Sequence, residues 1–206
     1  MNAAELHISQ AHVHKLLCAK NPDAALLWFS RLMYAGVDPK LIVRRLIVHA
    51  SEDVGLAEPT AMLQAHAAAN ALEFVGMPEA RIPLGDAAVL MATSPKSNTG
   101  HVALDMAMAD IKKGKAYDFP RHLQNMHADT YTMEREQGYR YPHDYPGHWV
   151  RQEYMPPEVK GKKYYKPTEM GHEATILKNQ QAREGKPSME LDTVVEALTA
   201  MIGVMN

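Results

Sequence analysis

The amino-acid sequence predicts an all-α fold, a multi-helix array interrupted by one loop-rich segment in its second half. Two features predict the helices: a repeated punctuation of cap, proline and glycine, and apolar residues that recur every three or four positions. A third feature predicts the loop-rich segment, because eight of the nine tyrosines lie between Tyr117 and Tyr165 among prolines that break helices. The length of 206 residues allows one large domain or two small ones.

The first half contains three punctuated segments. In the first two, a capping Asn or Asp precedes a proline, whose missing N–H costs nothing at the first helical position. In the third, the proline follows Glu58, which is a weaker cap. Each closes at a glycine, which can adopt the left-handed conformation that ends a helix. The segments run from Asn21-Pro22 to Gly36, from Asp38-Pro39 to Gly55, and from Glu58-Pro59 to Gly76. Because the connections are short, we expect consecutive helices to pack as antiparallel neighbours.

Two more helices are predicted before the composition changes. The first lies between Pro83 and the connector SPKSN at 94–98, and the second runs from that connector to Gly114. Ser97 or Asn98 is expected to cap the second helix, because short polar side chains satisfy the free amides of a helix start.

The segment from Tyr117 to Pro167 is expected to be an ordered, tyrosine-packed loop region with one helix near Asp129–Gln137. Two final helices are predicted at Thr168–Glu184 and Ser188–Val204. The last helix carries an apolar stripe, which must be buried against this chain or another. The stripe consists of Leu191, Val194, Val195, Leu198, Met201 and Ile202.

The charge and cysteine content exclude several classes of protein. A net charge of -2 gives no global basic field for nucleic acid, and the local basic excess lies in residues 111–166. Cys18 is the single cysteine, so neither an intrachain disulfide nor a cysteine-based zinc site can form. The N-terminus lacks the pattern of a signal peptide, and no apolar run could span a bilayer. We therefore expect a cytoplasmic protein with no membrane partner.

The first candidate site lies on the second predicted helix. Arg45, His49 and Asp53 are spaced four apart and therefore share one face. Arg44 and Glu52 lie two turns apart. Spacing alone favours a solvated ladder of charge pairs, each worth about 0.2–0.5 kcal/mol. The alternative is a charged seam against a neighbouring helix or a second protomer.

A second candidate site is basic and aromatic. Residues 160–166 interleave lysines, which can pair with phosphates, and tyrosines, whose rings can stack on bases. The connector at 94–98 adds a lysine beside the amides of a helix start, another place for an anion. A solvated lysine run with buried tyrosines is the competing interpretation, and the pattern favours it. The candidate DNA contacts are Lys96, Lys160, Lys162, Lys163, Tyr164, Tyr165 and Lys166.

No catalytic site is predicted. The sequence contains neither a GxxxxGK[ST] phosphate loop, nor a GxGxxG fingerprint, nor a GxSxG elbow. A metal site built on His143, Asp144 and His148 is a remote alternative, because these residues match no zinc-binding pattern. We therefore predict no catalytic, cofactor-binding or metal-binding residue in this chain.

Several blocks of the sequence resemble the replication-associated recombination protein A family of AAA+ ATPases, also called MgsA. The resemblance extends from about His12 to about Leu177, and its most specific part is an ASED-GLA-P block followed by PKSN. Three further blocks, HLQN, YPHD and KYYKPTEMG, extend it. The blocks lie at 21–39, 44–59, 75–84, 94–98, 122–125, 141–144 and 163–171.

The resemblance implies a domain plan and a function. Residues 1–37 would be the end of a helical lid-associated region, 38–185 an oligomerisation domain like those of clamp-loader subunits, and 186–206 an extra C-terminal helix. The chain would be a non-catalytic module that forms a homo-oligomer, with the tetramer as the family's state. The oligomer seam would comprise Arg44, Arg45, His49, Glu52 and Asp53.

The resemblance also implies what surrounds the chain in a full-length protein. The ATPase core, with its ATP and Mg²⁺, lies outside this chain in the family's plan. Full-length members are DNA-dependent ATPases of replication-fork maintenance that associate with DNA and with single-strand-binding protein. An alternative function for this chain is single-stranded DNA binding through residues 160–166.

Overall fold

The computed structural model of the protein describes Lys15 and residues 20–114, 118–123 and 139–185. Within these ranges the chain forms helices and turns but no strand, so the predicted all-α fold is confirmed. Cys18 and the predicted helices near 129–137 and at 188–204 lie outside the described residues. No helix in those ranges combines the length and the apolar character that crossing a bilayer requires.

The described α-helices follow the predicted order along the chain. They are α1 (Pro22–Tyr34), α2 (Pro39–His49), α3 (Thr60–Phe74), α4 (Arg81–Thr93), α5 (Thr99–Lys112) and α6 (Glu173–Glu184). The described part of the tyrosine- and proline-rich segment contains only short 3₁₀ turns. These turns are Arg121–Leu123, Pro142–Asp144, Pro146–His148 and Pro157–Val159.

The first two helices begin as the sequence predicts. The Asn21 side chain accepts a hydrogen bond from the backbone N–H of Ala24 at 2.9 Å. The Asp38 side chain accepts one from the backbone N–H of Lys40, also at 2.9 Å. Each bond satisfies an amide that has no partner inside its helix. Gly36 follows α1 with a φ of 77°, the left-handed conformation expected of a closing glycine.

The second punctuated segment is not one continuous α-helix, contrary to the prediction. α2 ends at His49, and a π-turn at Ala50–Val54 and a 3₁₀ turn at Gly55–Ala57 follow. Gly55 has φ 52° and ψ -139°, which is not the helical left-handed conformation expected of a closing glycine. Glycine is nevertheless required here, because a Cβ atom would collide with the carbonyl oxygen of Ser97.

The last described helix begins at Glu173, later than the predicted start at Thr168. The backbone N–H and the hydroxyl of Thr168 instead donate hydrogen bonds to the Glu173 side chain at 3.1 and 2.7 Å. Because Thr168 makes these bonds to the first residue of α6, residues 168–172 do not extend the helix toward the N-terminus.

Helices α1 to α4 and the π-turn share one hydrophobic core. The largest fully buried apolar side chains in it are Phe29, Leu46, Leu84 and Met91. Where α3 and α4 meet, many of their buried residues are alanines, whose small side chains let the two backbones approach closely. Truncating a core residue such as Phe29 to alanine would cost about 3–5 kcal/mol, as large-to-small substitutions do.

The chain divides into two compact units, Met1–Met106 with Tyr164–Lys178 and Ala107–Lys163 with Asn179–Asn206. The hydrophobic core belongs to the first unit. α1, which the resemblance assigns to the lid-associated region, packs against α4 inside this unit. The functional boundaries expected between 37 and 38 and between 185 and 186 stay predictions.

Candidate functional site

The predicted charged face on the second segment separates into an exposed pair, Arg44 and Arg45, and an inward-facing pair, His49 and Asp53. Arg44 and Arg45 are exposed, whereas His49 is fully buried. Glu52 and Asp53 are half-buried on the π-turn. In the part of the chain that the structure describes, no acidic side chain forms an ion pair with either arginine. The five residues therefore do not act as one ladder.

Lys96 forms an ion cluster with the inward-facing pair. Asp53 Oδ2 lies 3.2 Å from His49 Nε2 and 3.2 Å from Lys96 Nζ. Lys96 Nζ also lies 3.4 Å from His49 Nε2 and donates to the carbonyl oxygen of Met91 at 2.6 Å. Asp53 Oδ2 is buried, and neither nitrogen approaches it with the geometry of a hydrogen bond. The cluster is therefore held mainly by charge attraction.

One tautomer of His49 is compatible with a hydrogen bond from Lys96. An ammonium group only donates, so a hydrogen bond between Lys96 and His49 requires an unprotonated Nε2. In that tautomer Nε2 offers Asp53 no proton, and Lys96 supplies the positive charge beside the carboxylate. Lys96, a candidate DNA contact, has a side chain that is only 15% exposed. Its inward position disfavours that role, which stays a prediction.

The connector at 94–98 is also fixed through its backbone. The N–H of Ser97 donates to the carbonyl oxygen of Asp53 at 2.8 Å. Gly55 packs directly against the carbonyl oxygen of the same residue, Ser97. Together with the ion cluster, these contacts fasten the connector to the π-turn.

A buried carboxylate joins the same connector to the segment before α6. Glu173 is fully buried, and its oxygen atoms accept hydrogen bonds from four residues. Oε2 accepts from the Ser97 hydroxyl at 2.7 Å and from both donors of Thr168. Oε1 accepts from the Tyr165 hydroxyl at 2.9 Å and from the Thr99 hydroxyl. Residues far apart in sequence thus converge on one anion.

The hydrogen bonds decide the ionisation of this carboxylate. Burial raises the pKa of Glu173, but the hydrogen bonds from Thr99, Ser97 and Thr168 outweigh burial and lower the pKa from 4.5 to about 2. Burial and the neighbouring carboxylate raise the pKa of Tyr165 from 10.0 to about 12. At neutral pH the carboxylate therefore stays ionised and the phenol stays neutral. Neither group can exchange a proton in that range, which suits a structural role. We call these contacts, together with those that fasten the connector to the π-turn, the brace.

The lysines of residues 160–166 are largely paired with acids. The ion pairs are Lys160 with Glu153 at 3.6 Å, Lys162 with Asp110, and Lys163 with Glu184 at 3.0 Å. Lys166 is exposed, and Tyr164 and Tyr165 are half-buried. The Lys160 and Lys163 side chains are each 67% exposed, and exposed pairs contribute only about 0–1 kcal/mol. A phosphate could therefore replace either acid, although the pairing lowers the net charge of the segment.

An open apolar groove lies on the first unit, around the π-turn. Its volume is about 730 Å³. Its larger apolar side chains are Ile47, Val48, Leu56, Met62 and Leu104. Ser51, Glu52 and His101 are its polar members, and His101 Nε2 lies 3.1 Å from Asp105 Oδ2. The groove is not predictable from sequence periodicity, because the π-turn and the first turns of α5 form it together with residues of α2 and α3.

In the loop region, the imidazole ring of His143 packs against the rings of His148 and Tyr141. The ring centroids of His143 and His148 lie 4.9 Å apart, and those of His143 and Tyr141 lie 5.0 Å apart. Among the residues that the structure describes, no three His, Cys, Asp or Glu side chains converge as metal ligands would. The geometry therefore gives no support to the metal-site alternative.

Two important residues were not identified as partners from the sequence. Glu173 lies at a helix start, where a lone acid is ordinarily a favourable partner of the helix dipole. Lys96 was noted for its charge but not for its inward position. The available signal was that both residues lie in or next to blocks of the family resemblance, at 94–98 and 163–171.

Comparison with known proteins gives a consistent result. A family model described as MgsA AAA+ ATPase C terminal matches residues 19–184. The chain is 44% identical over 165 residues to replication-associated recombination protein A of Bacillus subtilis, covering 80% of this chain and 39% of that protein. It is 41% identical over 168 residues to the protein of the same name from Escherichia coli, covering 80% and 37%.

A third relative is an uncharacterized AAA domain-containing protein of Mycobacterium tuberculosis. It is 46% identical over 155 residues, covering 75% of this chain and 34% of the relative. The chain thus spans less than two fifths of the length of these curated relatives.

Proposed function

This chain belongs to the MgsA AAA+ ATPase C-terminal family, and we propose that it is a non-catalytic homo-oligomerisation module, tetrameric in its assembled form. Two of its relatives are named for replication-associated recombination, and we extend that role in replication-fork maintenance to the whole protein that carries this module. ATP and Mg²⁺ chemistry, and contacts with DNA and single-strand-binding protein, are likewise proposed for the whole protein and not for this chain.

The observation that carries the proposal is the apolar surface of α5. Its described residues include five large apolar side chains that are between 38% and 63% exposed. They are Val102, Leu104, Met106, Met108 and Ile111. A helix that exposes apolar side chains over its length marks an interaction surface, because monomeric proteins rarely leave such patches in water. Arg44 and Arg45 add exposed charges without an acidic partner among the described residues.

The mass of the chain in solution tests this proposal. Size-exclusion chromatography with light scattering, from low to high micromolar concentration, is expected to give a homo-oligomer that dissociates on dilution. The double substitution Arg44→Glu with Arg45→Glu should weaken assembly by about tenfold or more, because charge complementarity governs which surfaces associate. It should change the melting temperature little, since both side chains are exposed.

The substitution Arg31→Glu is the matched control, because Arg31 is also an exposed arginine on a helix. It should leave assembly unchanged. A monomer at the highest concentration would refute the proposed function. A parallel loss of assembly and of melting temperature in the double variant would assign the arginines to the fold instead.

Single-stranded DNA binding through residues 160–166 is the second candidate function. The observation in its favour is the exposure of Lys160 and Lys163, whose pairs with acids are weak enough to exchange. Fluorescence anisotropy with a labelled oligonucleotide should show an affinity that falls steeply with salt, and Lys160→Ala with Lys163→Ala should lower it. Lys40→Ala, at an exposed lysine on α2, is the control. Binding that is absent or independent of salt would eliminate this candidate.

A further inference from the structure

We propose that the groove around the π-turn binds residues 188–204 of a second copy of this chain. The proposal rests on the proposed self-association and names a contact for it. The groove supplies the receiving surface, and the predicted C-terminal helix supplies the apolar stripe that needs one.

The walls of the groove are accessible and apolar. Val48 is 44% exposed, Leu56 is 41% exposed and Leu104 is 63% exposed. These side chains border an open volume of about 730 Å³. A groove between helices with exposed aliphatic walls suits an amphipathic helix, whose anchors recur every three or four residues.

The segment 188–204 matches this requirement in sequence. Its stripe of six apolar residues has the spacing of one helix face, and a helix of this length would extend for about 25 Å. The family match ends at residue 184, so the segment lies outside it. A partner within the same sequence is therefore available for an apolar groove that the described residues leave open.

The charges of the two surfaces are complementary. Arg44 and Arg45 lie one helical turn before Val48 at the edge of the groove. Between residues 188 and 206 the sequence has three acids, Glu190, Asp192 and Glu196, and neither lysine nor arginine. All three acids precede residue 197, so this half of the segment would lie beside the arginines. The uncharged half would continue into the groove past Glu52, where an acid would be repelled.

The groove is assigned to a second copy because its walls stay exposed in a single chain. Mixing two complementary variants separates docking between copies from docking within one copy. Leu104→Asp places a charge in the groove, and Leu198→Asp places one in the stripe. Each full-length variant alone should weaken assembly by about tenfold or more, because a buried unpaired carboxylate is costly. Leu27→Asp, at a 66% exposed leucine of α1, is the control and should assemble normally.

An equimolar mixture of the two variants, one of them labelled with ¹⁵N, is then measured by native mass spectrometry. Each mixed pair keeps one intact groove facing one intact segment, so mixed pairs should outnumber the pairs of either variant alone. Docking within one chain would give no such preference and would overturn the proposal. If Leu198→Asp assembles like the unaltered chain, the groove contact is wrong although self-association stands. If the unaltered chain is itself a monomer, the proposed function fails as well.

A charge exchange keeps the proposal testable if Leu104→Asp does not fold. Arg44→Glu with Arg45→Glu should weaken assembly, and adding Asp192→Lys with Glu196→Lys in the same chain should restore most of it. A quadruple variant that assembles no better than the arginine variant would contradict the proposed contact.

Discussion

Neutralising Glu173 should loosen the brace between the connector at 94–98 and α6. Glu173→Gln keeps the shape of the side chain, but it removes the charge and turns one acceptor into a donor. The hydroxyl groups around the carboxylate can rotate to accept a hydrogen bond, whereas the backbone N–H of Thr168 can only donate. The glutamine oxygen would therefore face Thr168, and its amide would face the hydroxyl groups of Thr99 and Tyr165.

The pKa of Glu173 gives the expected magnitude. The fall from 4.5 to about 2 corresponds to a stabilisation on the order of 3 kcal/mol at neutral pH, since one pKa unit equals about 1.4 kcal/mol. The folded-state pKa lies below the unfolded-state value, so this stabilisation is complete above the unfolded value of 4.5 and is lost as the pH falls toward 2. At pH 3 about half of it should be gone.

Urea unfolding followed by circular dichroism, at pH 7, 4 and 3 and at one protein concentration, measures this effect. The difference in free energy of unfolding between the unaltered chain and Glu173→Gln should be large at pH 7 and should shrink toward pH 3. Glu169→Gln, at an exposed acid of the same segment, is the matched control. A difference that is equal at pH 7 and pH 3, or a Glu173→Gln variant as stable as the control, would refute the reasoning.

Three further substitutions test the rest of the brace by urea unfolding. Gly55→Ala should lower the free energy of unfolding by about 1–3 kcal/mol, clearly more than Gly36→Ala does. Both glycines have a positive φ, but only at Gly55 would a Cβ atom meet a backbone carbonyl. Equal losses for the two variants would contradict this close approach. Lys96→Met should destabilise the fold by about 2 kcal/mol more than Lys40→Met, because it leaves a buried carboxylate oxygen without its cation. Tyr165→Phe should cost about 1–2 kcal/mol at neutral pH. In the unaltered chain, the contribution of this phenol should disappear as the pH rises from 10.0 to about 12, and an unchanged stability difference at high pH would argue against it.

The helices were predictable because their signals are local. Asn21 and Asp38 cap the helices that follow them, and these bonds join residues only two or three positions apart. The all-α class follows from such caps and from apolar periodicity. The start of α6 was placed too early because Thr168 bonds to Glu173 instead of continuing the helix, and helix propensity carries no information about that tertiary contact.

The charged face on the second segment shows why sites are harder to predict than helices. A spacing of four places Arg45 and His49 on one face of a helix, yet the first is exposed and the second is fully buried. Lys96, which lies 47 positions from His49 in the chain, contacts His49 and brings a charge against Asp53. Periodicity predicts which residues share a face of one helix, but it does not predict which distant side chains the fold brings to that face.

Three of the blocks that carry the family resemblance, at 44–59, 94–98 and 163–171, are joined by contacts inside the first unit. The π-turn of the block at 44–59 contacts the connector at 94–98, and the connector contacts the segment at 163–171 and the first residue of α6. These blocks therefore hold one another in place. Such a brace specifies the fold and leaves little of itself for partners. Among the described residues, the surfaces that we propose for partners are the exposed arginines 44 and 45, the exposed apolar side chains of α5 and the groove around the π-turn. Substitutions in the brace should therefore act through stability, and substitutions on those surfaces should act through assembly.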